Sequence, residues 1–198
     1  GIADAMNHIF EQYFCEDSTI LNDGFMEAGL KSLMINGRKC LDNPEDYNAR
    51  AEMMLVCTYG CNDIYSLGNS QSGWPCHGME HALSAYYDIT HGEGLAIITP
   101  RWMKHILSEK TVDRFAKYGI NVFGIDGSLD KMVIANKAID ETYKFFESIN
   151  ISMHLKDVGI DESRIETMAK HVADNEGLEN AWAPLLQEDI AAIFRASL

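Results

Sequence analysis

The chain has 198 residues, 46% of them hydrophobic, which is enough for one well-packed core, and its 16 basic and 30 acidic side chains give a formal net charge of −14. A negative charge of that size, spread along the chain, argues against nucleic acid and against an anionic membrane surface as partners, and suits a small neutral or cationic substrate. No apolar run approaches the roughly 20 residues of a membrane span and no signal-peptide pattern opens the chain. With five cysteines, an odd number and no CxxC, the sequence reads as a soluble cytoplasmic protein with reduced, mostly buried thiols.

The sequence begins at Gly1, without an initiator Met, and runs straight into a helical pattern with no capping residue, so it is expected to be a piece of a longer chain. The first predicted helix covers residues 2–14, and Asp4 and His8, four apart, share one of its faces. Ser18 is the predicted cap of a second helix that runs to about residue 41, where Met26, Leu30, Leu33, Met34 and Leu41 recur at helical spacing. Asn43-Pro44 is expected to open a third. Ala49, Met53, Val56, Cys57, Gly60 and Ile64 mark its buried stripe, and Cys57 and Cys61 read as core rather than as ligands. The polar, Gly-rich loop at residues 67–75, LGNSQSGWP, follows, with Gln71 and Trp74 as candidate pocket walls.

A fourth helix is predicted over residues 77–87, with Met79, Leu83 and Tyr86 on its apolar side. A fifth begins near His91 and carries Leu95, Ile98, Trp102 and Ile106, with Pro100 expected to kink it. His77 and His81 are four apart on one helical face, and His91 follows just after the Asp88-Ile89-Thr90 break. A single helical histidine is usually a surface residue, but three within fifteen residues, flanked by small residues rather than charge, point to a shared metal or catalytic site. Gly92-Glu93-Gly94 lacks the preceding strand that a nucleotide-binding loop requires. Thr111 is the predicted cap of a short helix through Phe115 and Tyr118, and residues 126–128 form a turn. A long helix then covers residues 129–148, with Ile134, Ala138, Thr142, Phe145 and Ile149 in register. Residues 151–159 read as an irregular connector, and two more helices, at 161–172 and 184–196, flank a loop at 174–177. His105, His154 and His171 lie apart from the cluster and read as solvated or structural. No strands alternate and no repeat is visible, so the expected architecture is all-α, with eight or nine helices.

Asp4, His8, His77 and His91 together offer one carboxylate and three imidazoles, a donor set suited to a divalent transition metal. With a coordination position open, such a metal is a Lewis acid for an alcohol or carbonyl oxygen, and His81, one turn beyond His77, can move a proton. Two alternatives stand beside this reading. His77-Gly78-Met79-Glu80-His81 fits H-x-x-E-H, the inverted zincin pattern in which both histidines bind zinc and Glu80 activates water, although it leaves Asp4, His8 and His91 unexplained. In the other, the four ligands close around a structural metal in a non-catalytic helical domain.

The segments DAMNHIFEQY at residues 4–13 and HGMEHALSAYYDITHGEGLAIITPRW at residues 77–102 resemble the C-terminal half of the iron-containing (group III) alcohol dehydrogenases, the butanol dehydrogenase branch in particular. The resemblance covers nearly the whole chain. It implies an all-α multi-helix bundle of the dehydroquinate synthase-like α-domain type with its metal site between helices, residues 1–198 forming one metal- and substrate-binding domain. The family's N-terminal NAD(P)H-binding domain is expected to be absent. Position by position, the family's ligands fall on Asp4, His8, His77 and His91, with iron the expected metal and zinc the second choice. His81 falls where the family has a histidine near nicotinamide and substrate, a catalytic and cofactor-contacting proton relay. The resemblance further implies a small alcohol or aldehyde substrate, a homo-oligomer, and a domain that needs the nucleotide-binding half for activity. The face near His77, His81 and the 67–75 loop is expected to be covered by that half.

Overall fold

A computed structural model describes residues 1–70 and 73–198. Within them the chain forms α1 (Ile2–Tyr13), α2 (Ile20–Asp42), α3 (Tyr47–Cys61), α4 (Pro75–Tyr87), α5 (His91–Ile106), α6 (Val112–Phe123), α7 (Lys131–Ser148), α8 (Ile165–Asn175) and α9 (Gln187–Ala196), with no strand among the described residues. No helix is long and apolar enough to cross a membrane. The predicted all-helical architecture and element order are as observed.

The differences lie at helix ends, where several side chains can compete for one cap. Thr19, not Ser18, caps α2, accepting from the Asn22 N–H at 3.2 Å, while the Ser18 hydroxyl donates to Asn69 across a loop. Asn43 and Pro44 form a turn after α2, and Asp46 caps α3 through the Ala49 N–H at 3.0 Å. Thr111 stands at the start of α6 but makes no capping bond, because its hydroxyl donates back to the Ile106 carbonyl. The eighth and ninth helices begin later than their sequence patterns suggest, after short 3₁₀ turns. The chain continues helically through Pro100. At the other end of the α4–α5 corner, Asp88 takes the left-handed conformation (φ 54°) that stops α4 and turns the chain back so that His91 starts α5.

α1 and α5 are the central helices. α1 packs on α2, α3, α4 and α5, and α5 on α1, α4, α7 and α9, while α2–α3, α6–α7 and α8–α9 form outer pairs. Both central helices are buried nearly all round, and this explains why residues such as Ala3, Ala5, Met6, Ile9 and Phe10, or Leu95 through Ile98, leave no continuous polar face. Between the two, the buried Asn7 amide oxygen accepts from the Thr99 hydroxyl, a polar pin that fixes their register. Phe14 stacks on Phe115 at 4.5 Å and meets Trp102 and Tyr118 edge-on. α6 is latched to α1 and α2 by Arg114, which donates to the Tyr13 carbonyl at 2.6 Å and to both carboxylate oxygens of the buried Asp23 at 2.8 and 2.5 Å.

Two sequence-based expectations about burial need correction. Cys15 and Cys76 are buried, but Cys40 and Cys57 are half-buried and Cys61 is exposed; all five are free thiols, and of the Cys57–Cys61 pair only Cys57 packs against the core. α3 buries only Ala49, Val56 and Gly60 because it lies outside α1, so a helical stripe of apolar residues there is only partly covered. Bare apolar side chains gather on α2 and α3, with Ile20, Leu21, Met54 and Tyr47 at 89%, 77%, 72% and 80% exposure, whereas Trp74 is the partly exposed one beside His77.

Candidate metal centre

Three helices bring the candidate residues together. On α1, Asp4 and His8 are one turn apart, with His8 Nε2 3.5 Å from Asp4 Oδ1. α4 begins at Pro75, two residues earlier than predicted, because proline is pre-set for a first helical position. His77 therefore lies in the first turn, where backbone N–H groups lack partners within the helix. Those of Cys76 and His77 donate to Glu11 Oε1 of α1, at 2.5 and 3.2 Å. The second oxygen of Glu11 faces His77 Nδ1, which turns His77 Nε2 toward Asp4 Oδ1 at 3.7 Å. From α5, His91 presents Nε2 to the same Asp4 oxygen at 3.6 Å, and its Nδ1 is bonded to Glu80 of α4.

One ligand atom from each of Asp4, His8 and His77 falls within 4.8 Å of the others, and His91 joins them from the solvent side through Asp4. His81 does not converge with this group. It stands one turn out, stacked on His91 with centroids 5.9 Å apart and with Nδ1 3.9 Å from Glu176 Oε1. His91 and His81 are 38% and 58% exposed, which marks the open side. Trp74 closes another side, its ring edge-on to His8 and His77 at 5.6 and 5.3 Å. Gln71 lies outside the described residues. His105 pairs with Asp189, His171 packs on Tyr86, and His154 precedes a 3₁₀ turn, so none of the three enters the group.

The electrostatics follow from this crowding. Asp4 is held below the usual carboxylate range, chiefly by the adjacent His77 nitrogen, against the opposing effect of burial. His8 is pushed down by burial and then by the charge on His77. For His77 burial acts downward, but Asp4 and Glu11 outweigh it and raise the imidazole to about 9.

The site can be tested against a metal on its own geometry. Asp4 Oδ1 and His77 Nε2 are buried atoms without a hydrogen-bond partner among the described residues, an arrangement that folded proteins avoid unless something else satisfies the group. At 3.5, 3.7 and 3.6 Å the three imidazole nitrogens stand too far from Asp4 Oδ1 to hydrogen-bond to it. A tetrahedral ion with ligands at about 2.1 Å keeps its ligands about 3.4 Å apart. The Asp4 oxygen and the imidazole nitrogens of His8 and His77 therefore fit a divalent transition metal in both spacing and chemistry, and His91, 3.6 Å from the same oxygen, is a further donor of suitable chemistry beside them. The H-x-x-E-H alternative fits poorly: His81 points elsewhere, and Glu80, wholly buried, is occupied by His91 and by the Ser84 hydroxyl at 2.5 Å. Sequence reasoning missed Glu11, and weighed Glu80 only as the base of the H-x-x-E-H alternative. The available signal was that Glu11 continues the Asp4–His8 face, seven residues beyond Asp4, on a helix with few other acids.

Residues 1–198 match the Fe-containing alcohol dehydrogenase family, C-terminal. The chain is 43% identical to NADH-dependent butanol dehydrogenase A of Clostridium acetobutylicum, a match covering 100% of this chain and 51% of that protein. Among solved structures it superposes with a TM-score of 0.90 and 30% identity on NADH-dependent butanol dehydrogenase A of Thermotoga maritima, covering 100% of this chain and 51% of that one. The substrate- and cofactor-free aldehyde reductase YqhD of Escherichia coli gives a TM-score of 0.91 at 27% identity, covering 100% and 52%. The chain thus spans about half the length of the curated relatives it matches.

Proposed function

The chain belongs to the Fe-containing alcohol dehydrogenase family, and from that premise we propose that residues 1–198 are the single helical, metal- and substrate-binding domain of an NAD(P)H-dependent alcohol or aldehyde oxidoreductase of the butanol dehydrogenase type. The observation that carries the reading is the buried, unpartnered Asp4 Oδ1, ringed by imidazole nitrogens of His8, His77 and His91 at 3.5 to 3.7 Å. In this reading Asp4, His8, His77 and His91 hold one divalent metal, Fe²⁺ in the first place, with Zn²⁺ also acceptable to three imidazoles and a carboxylate. A metal bound there supplies Lewis-acid polarisation of an alcohol or carbonyl oxygen.

The rest falls to the chain's own side chains. His81, exposed and one turn beyond His77, gives or takes the proton at the substrate oxygen, with the Glu176 carboxylate 3.9 Å behind its Nδ1 as counter-charge. Trp74 walls the site and limits water. The nicotinamide is assigned to the half of the relatives that this chain does not match; it would supply the hydride from the open side, where His81 and His91 are exposed. A cytoplasmic location agrees with five free thiols, and a homo-oligomer with the bare apolar side chains of α2 and α3.

Anaerobic loading with Fe²⁺ followed by metal analysis should give about one equivalent per chain, lost in the His77→Ala and His91→Ala variants. Stoichiometric binding that survives both changes would refute the ligand set. Aldehyde reduction with NADH or NADPH should require addition of a nucleotide-binding half, and robust turnover by the 198-residue chain alone would overturn the assignment of the nicotinamide.

A further inference from the structure

Glu80 is fully buried, and among the described residues no lysine or arginine lies within ion-pair distance of it. Burying an ionisable carboxyl is unfavourable unless its oxygens are met, and both are: Oε1 accepts from the Ser84 hydroxyl at 2.5 Å, and Oε2 binds Nδ1 of His91. The seat is built by a neighbouring helix as well. A methyl group on Gly94 of α5 would stand 2.8 Å from Glu80 Cγ and 2.9 Å from Oε1, so only glycine there lets the carboxylate reach its place.

His91 needs such an anchor. It is the first residue of α5, the preceding Thr90 makes no capping bond, and its side chain is more than a third exposed; its ring contacts with His77 and His81 are with other imidazoles and do not fix which nitrogen faces Asp4. A carboxylate at Nδ1 fixes the tautomer that leaves the Nε2 lone pair free, and aims Nε2 at Asp4. Glu11 makes the corresponding contact to His77 from α1, with its other oxygen on the α4 N-terminus.

We propose that Glu80 is a positioning residue for the metal centre: held by Ser84 and admitted by Gly94, it grips Nδ1 of His91 and thereby makes His91 an effective ligand, as Glu11 does for His77. The inference rests on the metal-site reading above. It gives Glu80 a role that differs from a water-activating base, since the carboxylate is wholly buried and both its oxygens are taken by Ser84 and His91.

The test is a Co²⁺ titration of the metal-free chain, read by the ligand-field absorption of the bound ion and by calorimetry. Wild type should bind about one equivalent. Glu80→Gln keeps the shape and a neutral acceptor but removes the charge, and should weaken Co²⁺ binding by about 10- to 100-fold. In a His91→Ala background, titrated at the higher Co²⁺ concentrations that its residual, weaker site requires, the same change should have no further effect, because the ring it acts through is gone. An unchanged dissociation constant for Glu80→Gln, or an equal loss in both backgrounds, overturns the proposal while leaving the metal site intact. Failure of wild type to bind Co²⁺ overturns the metal-site reading and this inference with it. If Glu80→Gln does not fold, Ser84→Ala, which loosens the same carboxylate, should weaken binding by about tenfold, and wild-type affinity there would sink the proposal.

Discussion

Gly94→Ala is the sharpest test of how the site is built into the fold, since one methyl group sets two effects against each other. Alanine in a helix interior is favoured over glycine by about 1 kcal/mol. At Gly94, however, the new Cβ would lie 2.8 Å from Glu80 Cγ, and 2.9 Å from both Glu80 Oε1 and Ile89 Cδ1. Ordinary carbon contacts are about 3.5–4.0 Å, so roughly 1 Å must be found by moving the buried Glu80. Overpacking of this kind costs about 1–3 kcal/mol, and pulling a carboxylate off its hydrogen-bond partners about 1.5–3 kcal/mol. The net expectation is a loss of roughly 2–4 kcal/mol, or a melting temperature lower by roughly 5–15 °C. Gly24, in the exposed first turns of α2 with nothing within 4 Å of its would-be Cβ, is the control. There only the propensity gain remains, and Gly24→Ala should melt roughly 2–4 °C higher. Circular-dichroism melts in EDTA keep metal linkage out of the comparison. A Gly94→Ala protein that melts at or above wild type would refute the account of the Glu80 seat.

Asp23, held at about 2 by Arg114 and Lys117 despite its burial, has a folded-state pKa below its ordinary 3.8. Its stabilisation of about 2 kcal/mol is therefore whole above about pH 5 and is lost as the pH falls from 4 to 2. Asp23→Asn should cost about 3–5 kcal/mol at pH 7 and flatten that acid limb in urea titrations, and an unchanged limb would show that Asp23 does not set it. In an enzyme completed with a nucleotide-binding half, His81→Ala should lower kcat by about 100- to 10,000-fold with metal content unchanged; near-wild-type turnover would remove the proton-relay role. Ellman's reagent on the native chain should label exposed Cys61 first, and Cys15 and Cys76 only on unfolding, so a single burst from all five thiols would contradict the burial found here.

What the sequence determined by itself was local. Helical periodicity gave eight or nine helices in order, against nine α-helices among the described residues, and a four-residue spacing was enough to put Asp4 with His8, and His77 with His81, on common faces, because each step along a helix turns by a fixed angle. The two motifs also identified the family. Caps were less legible: Ser18 and Thr19 are equally able to cap, and the choice fell to Thr19 because Asn69, fifty residues away in sequence, took the Ser18 hydroxyl. Tertiary structure alone decided the rest. His91 faces Asp4 at 3.6 Å only because Asp88 turns α5 back across α4 and the Asn7–Thr99 pin sets α5 against α1. Glu11 and Glu80 look in the sequence like any of the 30 acidic residues, most of which face water. What distinguishes them is burial against a histidine from another part of the chain, and that depends on how helices pack, which no spacing within one helix encodes.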